Sequence, residues 1–231
     1  MANDLRRALA QTLSPGLRAI LWRSLLIALA TFVVLLGAAW LLIDRLAVFS
    51  AAWLDWLVQL TGFAGALVLA WLFFPAVVSA VIAFFGEEIA AEVEARYYPG
   101  LPPAHEPPLW QSAWEGARFT ALALALNLLA LPFYLFLPGL NLALFIALNG
   151  FLLGREYLDV VALRRHGVAE ARALRRRLFP RAWTSGALIA LFLLVPVVNL
   201  VVPAIGIAFM THRYHRWREK GLTVARRPIA P

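Results

Sequence analysis

The sequence predicts an all-helical integral membrane protein, and three observations carry that expectation. Hydrophobic residues make up 62% of the 231 positions and charged residues only 15%, against about 45–50% and about 25% in soluble domains. The apolar residues run continuously instead of alternating with polar ones, which argues against an outer-membrane barrel. In lipid only helices and closed barrels satisfy their own backbone groups, so helices remain. The third observation is where charge is missing. Residues 24–43, 56–86, 119–154 and 182–212 are uncharged, and a spanning helix needs about 20 apolar residues.

Taken in order, residues 1–20 are expected to form an interfacial N-terminal helix. Leu5, Leu9 and Leu13 recur every fourth residue, with Arg6, Arg7 and Gln11 elsewhere on the turn, which makes one apolar stripe. Ser14 and Pro15 then suit the N-cap and first helical position of the next helix. A first span is expected over 22–55. A second, over 56–98, is long enough to extend past the membrane into the cytoplasm. Trp22, Trp40, Trp53 and Trp56 near the span ends suit an aromatic belt. Glu87, Glu88, Glu92 and Glu94 follow on the second helix. A proton-coupled carboxylate is one reading of them; solvation in the cytoplasm is the simpler one.

Proline interrupts the last two uncharged stretches. Pro132 and Pro138-Gly139 fall within 119–154, and Pro196 and Pro203 within 182–212. Proline removes a donor and disfavours helix in the residue before it. Each stretch is therefore expected to split into halves of about 10–15 residues, short for a span. This gives helical hairpins over 108–166 and 181–219. One kinked span per stretch is the alternative.

Charge placement arbitrates. Residues 155–181 hold eight arginines against Glu156, Asp159 and Glu170, and both termini are also basic. The positive-inside rule puts all three segments in the cytoplasm. Two long transmembrane helices plus two re-entrant, half-penetrating hairpins satisfy that rule; four single crossings do not. Between the hairpins, 168–179 is expected to be an interfacial basic helix with Ala171, Leu174 and Leu178 on one face. Gly167 is expected to cap the helix before it, and 220–231 is a tail.

The net charge is +8, with Lys220 the single lysine among 21 basic residues. In a membrane chain this excess faces an anionic leaflet, and no nucleic-acid motif accompanies it. With no cysteine, disulfides and thiolate metal sites are excluded. Gly-x-Ser-x-Gly, His-Glu-x-x-His and Walker A sequences are absent. An enzyme is therefore not expected, nor is a cofactor. His212 and His215 share a helical spacing but lack a third metal ligand, so they read as interface anchors.

The candidate site is the start of the first span. A helix beginning at Ser14 and Pro15 leaves first-turn N–H groups free, and these with the macrodipole attract anions. Arg18 can turn back on the same anion; the alternative is a plain capped helix whose arginine binds lipid phosphate. Asn127, Asn141, Asn149 and Asn199 are the most polar side chains of the hairpin stretches. Asn141 and Asn199 follow the breaks, where they cap restarting helices or line a hydrated path.

Ser14-Pro-Gly-Leu-Arg18, Ala91-Glu-Val-Glu-Ala-Arg96, Leu137-Pro-Gly and Pro196-Val-Val-Asn-Leu200 with Pro203 occur in that order. Together they resemble the CysZ-like sulfate permeases within the wider etoposide-induced-protein family, from about residue 8 to about residue 217. The resemblance implies a bacterial inner-membrane protein with two long spanning helices and two hairpins of half-penetrating helices. It implies a homo-oligomer built from dimers, surrounded by membrane lipids, that takes up sulfate or a related oxyanion for sulfur assimilation. It places the anion site at Gly16, Leu17 and Arg18. The pattern's second arginine is Ala19 here, and Ser24 stands where a proline commonly follows. Arg23 offers a replacement charge or a membrane anchor. A non-transporting structural, lipid-binding or scaffolding protein of the same family is the alternative function.

Overall fold

The computed structural model describes residues 1–46, 60–65, 67–68, 74, 77–78, 80–105, 108–195 and 198–223. Among these there is no strand. Eight continuous α-helices are α1 (Ala2–Gln11), α2 (Pro15–Leu46), α3 (Gly86–Tyr97), α4 (Leu109–Phe136), α5 (Asn141–Arg165), α6 (Val168–Arg177), α7 (Phe179–Leu193) and α8 (Val202–Glu219). Residues 60–65 and 80–84 are also helical. Trp53, Trp56, Pro196, Arg226 and Arg227, with most of the link between the first two expected spans, lie outside the described residues.

Among the described residues, three segments are long and apolar enough to cross a membrane: Pro15–Leu41, Ala113–Phe136 and Pro138–Arg165. The apolar helix Phe179–Leu193 is shorter. The protein is therefore a helical membrane protein, without strands among the described residues. The halves of the third uncharged stretch are longer than its charge-free length suggests. Pro132 lies inside α4 without ending it, and α4 and α5 run for 28 and 25 residues. Two physical reasons account for this. Proline near a helix end costs few hydrogen bonds, and helical bonding continues into polar flanks on either side of the apolar zone. The chain breaks instead at Pro138–Leu140, a short 3-10 turn. A second such turn, Val198–Leu200, separates α7 from α8, and Pro203 sits in the first turn of α8, where its missing donor is harmless.

Gly167 does not close α5. That helix ends at Arg165, and His166 donates its N–H to the Ala162 carbonyl at 2.8 Å. Gly167 is the extended N-cap of α6 (φ −66°, ψ 162°), so no left-handed cap is needed.

The core lies around α8, whose residues from Val202 to His212 are all buried. Against it pack α1, α3, α5 and α7. Close approach of α5 and α7 depends on small residues. A Cβ added at Gly186 would stand 2.8 Å from the Gly154 Cα, and one at Gly154 would stand 2.8 Å from the Ala182 carbonyl carbon. Without side chains at these points the two backbones touch, which is how membrane helices gain contact when lipid offers no hydrophobic drive. The Trp183 indole N–H donates to the Ala147 carbonyl at 3.1 Å across the same seam.

Helix α1 turns an unexpected face inward. Asp4, Ala8 and Gln11 are buried, whereas Leu9 and Leu13 point outward, Leu13 at 75% exposure. The reason is electrostatic. The neighbouring turn of α8 presents Arg213 and Arg216, which reach Asp4 at 3.5 and 2.5 Å. Of the leucine stripe, Leu5 is half-buried against the core, and Leu9 and Leu13 face away from the protein.

Candidate functional site

The start of α2 is built as its residue types require. The Ser14 hydroxyl accepts the Leu17 N–H at 3.4 Å, and the Ser14 carbonyl accepts the Arg18 N–H at 2.9 Å. Leu17 is fully buried. It serves as a packing anchor and presents no side chain to a solute.

Helical geometry then divides the remaining candidates. Successive residues turn by about 100°, so Gly16, Ile20 and Arg23 share one face while Arg18, Trp22 and Leu25 share the opposite one. The first face lines a cavity of about 500 Å³ together with Glu88, Glu92 and alanines of α2 and α3. There Arg23 is paired with Glu88 and lies 4.4 Å from the Phe85 ring centre. The Glu92 carboxylate packs so near Gly16 that a Cβ there would stand 2.9 Å from its Oε2. The protein's own anions thus hold this face.

The second face lines a cavity of about 250 Å³. Its walls are Leu21, Trp22, Leu25, Val78, Ile82, Leu200 and Val201, and its single charged lining residue is Arg18. Leu200 and Val201 come from the turn before α8. Arg18 makes no ion pair among the described residues. Gly16 and Arg23 are therefore brought together, and Arg18 is set apart from both. Asn199 is half-buried in the turn beside the Arg18 cavity, and Asn141 starts α5 with its Oδ1 buried and without a partner. Neither caps a helix with its side chain. Asn127 and Asn149 donate to carbonyls four residues back in their own helices.

A buried ionic hub stands behind the site. Glu94 of α3 is only 4% exposed and is not in solvent as its sequence position suggests. Arg165 of α5 grips both carboxylate oxygens, with its Nε 2.7 Å from Oε1. Arg164 lies 3.3 Å from Oε2, and the His215 ring of α8 is 3.0 Å from Oε1. Arg165 also donates to the Pro102 carbonyl at 2.7 Å. Burial pushes the Glu94 carboxyl up, but the His215 and Arg165 hydrogen bonds and the arginine charges outweigh it and hold the group at about 2. His212 and His215 are likewise core residues and do not anchor a membrane interface. The Tyr98 hydroxyl is 2.9 Å from His212 Nδ1, and burial lowers His212 to about 4. No periodicity marks Glu94 or Arg165. The available signal was an acid beside an arginine-rich helix end, which fits a solvated pair equally well.

These features define a helical membrane protein with an arginine-bearing apolar cavity above an ion-paired base. The chain belongs to the Sulfate transporter CysZ/Etoposide-induced protein 2.4 family, whose sequence model matches residues 4–203. No curated protein matches the chain.

Proposed function

We propose that the chain is an anion permease of the bacterial inner membrane, and that sulfate, or a closely related oxyanion, is its substrate. Arg18 carries this reading. It is a cation without a partner among the described residues, set in apolar walls at the start of a helix long enough to cross a membrane. Arg18 is exposed in the protomer and so open to an arriving anion, and its fork matches the oxygens of sulfate through charge-assisted bonds. Gly16 and Arg23 act differently. Glu88 and Glu92 stand beside them in an open, salt-bridged cavity, and a dianion would be repelled there.

In this reading the residues around Asn199, next to Leu200 and Val201, border the path, and Asn141 belongs to the other hairpin tip. The working form is a homo-oligomer built from dimers. The basic segments and both termini face the cytoplasm, with two full spans and two hairpins per protomer.

Proteoliposome uptake of labelled sulfate tests the reading. Arg18→Ala is expected to slow uptake about tenfold or more, the scale of a lost charge-assisted hydrogen bond. Arg23→Ala should stay within about twofold, since its partner is Glu88 and not the solute. Wild-type uptake no faster than that of empty liposomes would leave a structural or scaffolding role in its place.

A further inference from the structure

Helices α5 and α7 pack antiparallel with Gly154 against Ala182. Those two residues are also where the uncharged stretches meet their charged flanks, Arg155 and Arg181. The apolar-to-charged boundary therefore falls at one level on both helices, as it does at a membrane surface. At that level opens a cavity of about 360 Å³, lined by Phe151, Arg155, Arg175, Arg176, Phe179 and Ala182.

Its lining is divided. One part is three guanidinium groups. The other is the Phe151 and Phe179 rings, with centres 6.0 Å apart, and a methyl group. Phe179 is 47% exposed, although it is large and apolar. The charges around the cavity do not balance. Arg175 is paired with Asp159, whose Oδ2 is also 3.7 Å from Arg155 Nε. That nitrogen is buried and makes no hydrogen bond. Asp159 thus serves two arginines, and Arg176 has no carboxylate partner among the described residues. The neighbouring pair of Arg172 with Glu115 is already complete and adds no free anion.

We propose that this cavity binds the phosphate headgroup of an anionic phospholipid, with the acyl chains running along α5 and α7. Basic pockets between membrane helices accept such headgroups. The apolar half of the lining selects the lipid over a free anion, because inorganic phosphate would use the guanidinium groups and leave the rings uncovered. The excess of arginine selects an anionic lipid over a zwitterionic one, which brings its own cation. A lipid held here would tie α6 to the α5–α7 seam. The cavity shares no residue with the one around Arg18, so this site and the permease reading stand or fall separately.

The test uses the whole protein in mild detergent. Lipid adducts are counted by native mass spectrometry, and thermal unfolding is followed during titration with phosphatidylglycerol, phosphatidylcholine or sodium phosphate. Phosphatidylglycerol is expected to bind and raise the unfolding temperature, with little effect from the other two. Arg176→Gln, a surface change that breaks no ion pair, should weaken phosphatidylglycerol binding about fivefold. Arg7→Gln, which removes the same charge from α1, should leave it unchanged. Equal binding by Arg176→Gln and wild type would overturn the assignment. So would stabilisation by phosphatidylcholine equal to that by phosphatidylglycerol. An equal response to sodium phosphate would make the site one for free anions and end the lipid proposal.

Discussion

Glu94→Ala is expected to cost about 3–5 kcal/mol of stability, the range for removing one partner of a buried ion pair. The substitution strips Arg165 of both its carboxylate bonds and leaves its guanidinium buried, with the Pro102 carbonyl as its remaining partner. It also removes the partners of Arg164 and His215. Because Glu94 joins α3 to α5 and α8, loss should appear as one lowered unfolding transition. Thermal unfolding in detergent reads it directly. A variant that unfolds within a degree or two of wild type would show that the hub carries no net stability.

The same groups set a direction for pH. Glu94 has a folded value of about 2, below its ordinary 4.5. Its contribution is complete above the ordinary value and is lost as pH falls from there toward 2. His212 titrates at about 4 when folded, against 6.5 ordinarily. The unfolded chain therefore takes up its proton first, and stability falls between pH 6.5 and 4. Both groups favour neutral pH, with His212 acting earlier. His212→Gln should flatten the fall in unfolding temperature between pH 6.5 and 4. An unchanged slope would assign that fall to other groups.

Gly186→Ala is the second large expected effect. The added methyl would meet backbone, not a side chain that can swing away, because the nearest atoms belong to Gly150 and Gly154. Helices α5 and α7 would have to separate. Overpacking costs about 1–3 kcal/mol, occasionally more, and a contact with rigid backbone belongs at the upper end. Gly116→Ala is the control, since nothing lies within 4 Å of its added Cβ. The comparison is unfolding temperature and the yield of folded protein. Matching values for the two variants would mean that the α5–α7 seam is not tightly packed.

Much of the fold is legible in the residues themselves. Ser14 and Pro15 start α2 because a hydroxyl acceptor and a fixed φ act within one turn. The turns at Pro138–Leu140 and Val198–Leu200 are local as well. Pro132 misleads because its cost depends on how many bonds of α4 remain beyond it. Glu94 misleads because its burial is caused by Arg165 and His215, far away in the chain. The candidate site is half legible. Gly16, Arg18 and Arg23 are close in sequence, but a helix turns them toward different neighbours.

The sequence by itself determined that this is a helical membrane protein, that a helix starts at Ser14 and Pro15 and the chain breaks at Pro138, and which segments carry the positive charge. Composition and single-turn chemistry decide such things, and both are written residue by residue. Tertiary structure alone decided which arginines are free. Arg23 and Arg165 are matched to Glu88 and Glu94 by the packing of α3 against α2, α5 and α8. Arg18 and Arg176 face cavities with no carboxylate to meet them. An ion pair depends on distance in space, and distance along the chain does not report it.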